Sequence, residues 1–146
     1  MAAPANRRQI ALTSALHRLV YRASGGRLGS SMGKASVLLL TTTGRRSGKP
    51  RTTPLYYVRD GTNFAVVASN GGSDRDPAWW LNLKANPAAM VQAGRKHCKV
   101  LASVATAEEH DRLWPVLVIT YPGYADYVAG TPRAIPVVIL RDRPVE

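Results

Sequence analysis

The sequence predicts a mainly β, α+β domain: an antiparallel barrel of about six strands with helices packed over its openings. Three observations carry this prediction. The longest apolar clusters, Val37 to Leu40 and Val137 to Leu140, have the length of strands and not of helices. Most candidate strands are joined by short hairpins. The helical signals fall between groups of strands, in the order helix, three strands, helix, two strands, helix, strand. That order does not fit the regular alternation of a parallel βαβ sheet.

Taken along the chain, Asn6 to Ser24 reads as an amphipathic helix. Leu12, Leu16, Leu19 and Val20 recur at helical spacing, and Arg8, Arg18 and Arg22 lie elsewhere on the wheel. Gly25 and Gly26 end it, and Gly25 to Lys34 forms a flexible basic hinge. Residues 1–34 are therefore set apart from a barrel domain at 35–146. Ala35 to Thr43, rich in Val, Leu and Thr, is a buried strand. Gly44 to Pro50 is a turn. Arg51 to Val58 is a second strand in which Pro54 demands an edge or a bulge, because proline gives no N–H to a ladder. Asp60-Gly61 marks a hairpin into a third strand, Asn63 to Asn70, closed by Gly71-Gly72. Asp76-Pro77 reads as a helix start, with an acidic N-cap and proline at the first helical position. This helix runs to about Asn86. Ala88 to Ala93 and His97 to Ala105 pair around Gly94. Thr106 and Glu109 match a capping box for a helix that Pro115 would kink. Tyr121-Pro122-Gly123 breaks the chain before a short helical turn, and Ala134 to Arg141 is the last strand.

The chain has 146 residues, the size of one ordinary domain, and its hydrophobic fraction of 45% supplies a core. No apolar run is long enough to span a bilayer, no secretory signal is visible, and one cysteine, Cys98, excludes an internal disulfide framework. A cytoplasmic setting is expected. The net charge is +11, and it is unevenly placed: residues 1–60 hold eleven Lys or Arg and one acid, while 61–146 hold nine basic and eight acidic residues. An excess confined to one part of the chain suggests an anionic partner. Nucleic acid is not expected, since Tyr21, Tyr56 and Tyr57 are the only stacking groups in the basic part. The stripe of the first helix, flanked by Arg7, Arg8, Arg18 and Arg22, suits peripheral contact with an anionic membrane or a simple cap on the barrel.

Several chemistries lack their residues. Gly44 to Lys49 resembles a phosphate-binding P-loop but has three residues between its glycines and Pro50 after the lysine. His17, His97 and His110 lie far apart, so no metal site is expected. No nucleophile elbow is present.

Three segments are informative. The first is TTTGRRSGKPRTTPLYY, Thr41 to Tyr57, in which a glycine turn carries Arg45, Arg46, Ser47 and Lys49, and a strand starts with Arg51. Guanidinium groups on a turn and its neighbouring strand can converge on phosphate or carboxylate, and turn N–H groups add to the field. The second joins Val67, Ala68, Ser69 and Asn70 to Trp79 and Trp80. Small residues at a strand end admit a flat ring, whereas the tryptophans pack on that ring or simply fill the core. The third is Tyr121, Tyr124 and Tyr127, whose spacing of three suits one helical face. That face lines a planar substrate pocket or packs with its hydroxyls at the rim.

Together these segments resemble the deazaflavin-dependent nitroreductase family, which shares the split β-barrel of flavin-nucleotide oxidases. The resemblance runs from Ala35 to Leu140 through LLLTTTGRRSGKPRTTPLYYVRDG, VVASNGG, DPAWWLNLKANP, WPVLVITYPGYADY and IPVVIL. It implies an oxidoreductase that passes a hydride from reduced coenzyme F420 to an electron-poor acceptor: a quinone, a nitroaromatic or nitroimidazole, or an activated alkene. By the same resemblance, Arg45, Arg46, Ser47 and Arg51 hold the coenzyme's phosphate and acidic tail. Thr52, Thr53, Pro54, Leu55 and Tyr56, with Val67, Ala68, Ser69 and Asn70, line the deazaflavin. Ala78, Trp79, Trp80, Leu81 and Asn82 close the pocket, with Tyr124 also touching the coenzyme. Tyr56, Tyr121, Tyr124 and Tyr127 border the acceptor, with Tyr124, Tyr121 and Ser69 as hydrogen-bond donors to developing charge. Family members often have lysine in place of Asn70, and methionine and tyrosine in place of Ala78 and Trp80. The alternatives are an FMN enzyme on the same barrel and a non-catalytic cofactor- or lipid-binding barrel. The oligomeric state is not readable.

Overall fold

The computed structural model describes residues 31–32 and 35–143; the first helix expected from the sequence, Asn6 to Ser24, lies outside them. Among the described residues there are seven strands: β1 (Ser31–Met32), β2 (Ala35–Thr43), β3 (Pro50–Asp60), β4 (Asn63–Val67), β5 (Ala88–Ala93), β6 (Lys96–Val104) and β7 (Val137–Asp142). Three α-helices join them: α1 (Ala78–Ala85), α2 (Ala107–Thr120) and α3 (Gly123–Gly130). All pairings are antiparallel, in the order β1-β2-β3-β4-β7-β6-β5, and a further β2–β5 pairing closes β2 to β7 into a six-stranded barrel.

Side chains alternate across the barrel wall as a two-residue period requires. Leu38, Leu40, Phe64, Val66, Val138 and Leu140 point inward and form one core with Trp79, Trp80 and Leu83 of α1. Ala65, Val67, Val137 and Ile139 point outward and form a second core with Leu113 and Leu117 of α2 and Tyr124 of α3. The near-continuous apolar runs of β2 and β7 match the burial of successive residues, Val37 to Leu40 and Val137 to Leu140, on both faces of each strand.

Some expected elements differ in ways that have a physical cause. Ser31 and Met32, assigned to the hinge, pair with Ser36 and Ala35 as a short extra strand. The strand expected over Asn63 to Asn70 ends at Val67, because Arg133 takes the carbonyls of Ala68 and Ser69 and Asn70 turns the chain with a φ of 49°. Asp76 does not cap α1. The helix starts after Pro77, and the Asp76 carboxylate instead accepts from Lys84 at 3.2 Å and from Arg133 at 3.2 Å. β7 spans Val137–Asp142, not Ala134 to Arg141. Pro115 lies within α2, which continues as one helix to Thr120; the Asp111 carbonyl deprived of its N–H partner sits on an exposed face. The capping box is present, with Thr106 Oγ1 accepting from the Glu109 N–H at 3.1 Å and Glu109 Oε1 from the Thr106 N–H at 3.0 Å. Pro54 sits where β3 has an open edge: β3 pairs with β2 along Pro50 to Tyr57 but with β4 only from Val58.

Candidate active site

The basic turn is built by its own backbone. The Gly44 N–H donates to the Lys49 carbonyl at 2.8 Å, the Gly48 N–H to the Gly44 carbonyl at 2.8 Å, and Ser47 Oγ accepts from the Lys49 N–H at 3.1 Å. A Cβ at Gly44 would stand 2.7 Å from Ser47 Oγ and 3.1 Å from the Lys49 carbonyl, so the compact turn excludes a side chain there. Ser47 thus organises the turn that presents the cations.

The turn walls a cleft of about 890 Å³ whose lining includes Arg45, Arg46, Ser47, Arg51, Thr52, Thr53, Ala78, Trp79 and Asn82. No carboxylate lines it, and none among the described residues lies within ion-pair distance of Arg45, Arg46, Lys49 or Arg51. Cations gathered without acidic partners suit an anion. The N-terminal end of α1, at Ala78 and Trp79, adds the positive end of its dipole.

Asn82 holds the cleft in shape. The residue is 4% exposed. Nδ2 donates to Thr42 Oγ1 at 3.1 Å, and Oδ1 accepts from the Arg45 N–H at 3.1 Å and from Arg45 Nη1 at 3.2 Å. The resemblance gave Asn82 a coenzyme contact; the residue lines the cleft, and its amide also aims Arg45. Trp80 is buried in the barrel core, as one of the two tryptophans was expected to be, while Trp79 reaches both the core and the cleft.

Beyond the cleft, farther along β3, the surroundings change character. Leu55 packs on the inner core and Tyr56 on the outer one. Tyr56 lies five residues from Arg51, about 17 Å along an extended strand. There the tyrosines assemble. Tyr56 stacks on Tyr121 with centroids 5.1 Å apart, Tyr124 meets Tyr121 edge-on at 4.8 Å, and the Tyr121 and Tyr127 hydroxyls are 2.9 Å apart. Burial is the main reason that Tyr56, Tyr121 and Tyr124 ionise with difficulty; Tyr121 is pushed up to about 12, helped by its hydrogen bond to Tyr127. All three are neutral phenols near pH 7, able to donate a hydrogen bond and unable to act as bases. Tyr124 is the most enclosed, 5% exposed within the outer core.

Val67, Ala68 and Ser69 are buried at the end of β4, and Asn70 follows with its side chain donating to the Arg75 carbonyl at 3.1 Å. Gly72 is needed where this loop meets α3: its φ is +81°, and a Cβ would lie 2.7 Å from the Tyr127 ring. The residue missed in the sequence is Arg133. Nη2 donates to the carbonyls of Ala68 at 3.0 Å and Ser69 at 2.9 Å, Nε to that of Ser73 at 2.9 Å, and Nη1 to Asp76 at 3.2 Å. One guanidinium therefore fixes the whole loop from Ala68 to Asp76. Nothing in its local pattern announces this, because every partner but its neighbour Ala134 is about 60 residues away in sequence.

Comparison with known proteins decides the family. The model of the F420H(2)-dependent quinone reductase family matches residues 14–142. The chain belongs to this family. An F420H(2)-dependent quinone reductase of Mycobacterium tuberculosis is 42% identical over 132 residues, covering 88% of this chain and 89% of that protein. A solved F420-H2 dependent reductase (FDR-A) is 42% identical, with a TM-score of 0.66, covering 72% of this chain and 93% of the other. A second solved structure, described as a domain-swapped dimer, is 37% identical with a TM-score of 0.69, covering 87% of this chain and 97% of the other. As a member of this quinone reductase family, the chain is an F420-dependent oxidoreductase. The unpaired cations of its cleft fit the negative charge of that coenzyme.

Proposed function

We propose that this quinone reductase holds F420 along β3, with the coenzyme's phosphodiester at Arg45, Arg46 and Arg51 and its ring toward Tyr56 and Ser69, and that the tyrosine cluster receives a quinone. The observation that carries this reading is a contrast between the two ends of β3: cations without acidic partners at the Arg51 end, and a cluster of neutral, partly buried phenols where Tyr56 meets Tyr121. When bound, the reduced deazaflavin supplies a hydride. The protein supplies placement and electrostatics.

In this reading Arg45, aimed by Asn82, and Arg51 anchor the charged part of the coenzyme through charge-assisted contacts. Thr52, Thr53, Pro54 and Leu55 run beside the extended part. Val67, Ala68, Ser69 and Asn70, held from behind by Arg133, form a wall on which a flat ring can lie. Ala78, Trp79 and Leu81 close the far side. The hydroxyls of Tyr121 and Tyr124, with Ser69, donate hydrogen bonds to the quinone oxygen that gains charge. Burial, deep for Tyr124 and partial for Tyr121, strengthens such a bond and keeps the proton on the phenol.

A quinone is the acceptor class that the family description and a flat aromatic cluster both favour. The basic, apolar-striped segment 1–24 would bring the enzyme peripherally to an anionic membrane surface where apolar quinones reside. The test is absorbance of reduced F420 in the presence of quinones, nitroaromatics and enones, with full-length protein and with a variant lacking residues 1–24. Oxidation that is fastest with quinones, and liposome co-sedimentation that needs residues 1–24, supports the reading. Quinones slower than both other classes, or equal sedimentation of both proteins, contradicts the corresponding part.

A further inference from the structure

The basic turn has a second side. Beyond β2 from the coenzyme cleft lies a smaller cleft of about 330 Å³ whose lining includes Thr43, Gly48, Met90, Lys99 and Arg143. Thr41, Thr42 and Pro50 line both clefts, so only the end of β2 and the start of β3 separate them. No carboxylate lines the second cleft either.

Lys99 and Arg143 are placed together by the ladder. Val100 pairs with Asp142, and the Arg143 N–H donates to the Lys99 carbonyl at 2.8 Å, which extends the β6–β7 pairing by one step. Two cations directly across a ladder repel each other. Neither has an acidic partner within ion-pair distance among the described residues. The fold therefore holds two exposed side chains of like charge side by side on the wall of the second cleft, which also includes Gly48 of the basic turn. A bound carboxylate would relieve that repulsion.

We propose that this second cleft is the subsite for the acidic tail of the coenzyme: Lys99 and Arg143 take carboxylates of the glutamate chain that leaves the phosphodiester at Arg45, Arg46 and Arg51. The proposal rests on the coenzyme placement given above. The tail crosses the end of β2 over Thr41 and Pro50, where no acidic side chain opposes it. The contacts are exposed, so each is modest and screened by salt. The subsite contributes affinity and tail-length selectivity, and it takes no part in hydride transfer.

The experiment is a fluorescence titration of the full-length protein with two oxidised forms of the coenzyme, one carrying several glutamates and one ending before the first. Wild type is compared with Lys99→Ala/Arg143→Ala and with Lys99→Glu/Arg143→Glu. The alanine pair should bind the long-tailed form roughly 10-fold more weakly and the glutamate pair more weakly still, with the tail-less form unchanged. High salt should erase the difference between the two forms in wild type. Unchanged affinity for the long-tailed form in both variants overturns the proposal, and so does an equal loss for both forms. Failure of the coenzyme placement itself has a different signature: Arg45→Ala/Arg51→Ala would then leave affinity for the tail-less form unaltered.

Discussion

Replacing Asn82 separates the shape of the cleft from its charge. Its amide makes three hydrogen bonds from a buried position: one donated to Thr42 and two accepted from Arg45. The two bonds to neutral partners contribute about 0.5–1.5 kcal/mol each and the one from the guanidinium about 1.5–3 kcal/mol. Water reaches the Arg45 side of the site, so Asn82→Ala should lose about 2–4 kcal/mol of stability and not the full sum. Arg45, no longer aimed, should bind the coenzyme roughly 10-fold more weakly. Asn82→Asp makes the contrasting case. It keeps an acceptor for Arg45, and the Thr42 hydroxyl can reverse to donate, so the fold survives better than in the alanine variant. Yet it puts a carboxylate into a cleft that has none, pairs it with Arg45, and should weaken an anionic coenzyme at least as much as alanine does. Denaturant unfolding gives the stabilities and fluorescence titration the affinities. Wild-type affinity in Asn82→Asp would refute the electrostatic argument, and wild-type affinity in Asn82→Ala the positioning argument.

Arg133→Ala frees the loop from Ala68 to Asp76 and should lower turnover more than it lowers coenzyme affinity, with Arg133→Lys recovering little because a single ammonium cannot span four partners; full turnover in the alanine variant, measured by stopped-flow absorbance, contradicts this. Glu109 is held down to about 2, below its ordinary 4.5, chiefly by its hydrogen bonds from Arg141 and the Thr106 N–H. A folded-state value below the unfolded one gives stability that is fully present above about 4.5 and is lost as pH falls toward 2, so Glu109→Gln should melt below wild type at pH 7 and converge with it in acid. Parallel melting curves at every pH would remove Glu109 from the account. Tyr124→Phe keeps the packing and deletes the hydroxyl; turnover should fall by roughly 10- to 1000-fold with coenzyme affinity little changed. Normal turnover in steady-state assays would reject the donor role.

The sequence made legible the elements whose signals are local. The Thr106–Glu109 box, the hairpins at Gly61 and Gly94 and the strands over the apolar runs of β2 and β7 each depend on residues a few positions apart. The elements that differ depend on distant partners. Asp76 followed by proline has the local chemistry of a cap, but Arg133 offers it a charged partner that no local pattern contains. The same guanidinium stops β4 early. The site divides in the same way. Cations on the turn are readable because they are adjacent in sequence, and the tyrosines because they are spaced by three. That Tyr56 joins those tyrosines is implied by the family resemblance and by no local spacing, and that Asn82 aims Arg45 from 37 residues away follows only from the seating of α1.

In the proposed placement, the cleft between the basic turn and α1 holds the charged part of F420. The most direct measurement is a fluorescence titration of F420 and of FMN with wild type and with Arg45→Ala/Arg51→Ala, at low and high salt. Two charge-assisted contacts of about 1.5–3 kcal/mol each predict a loss of roughly 100-fold or more for F420 in the double variant. They also predict weaker binding of F420 by wild type as salt rises. Tighter binding of FMN than of F420 by wild type, or an F420 affinity indifferent to both arginines, would contradict the account.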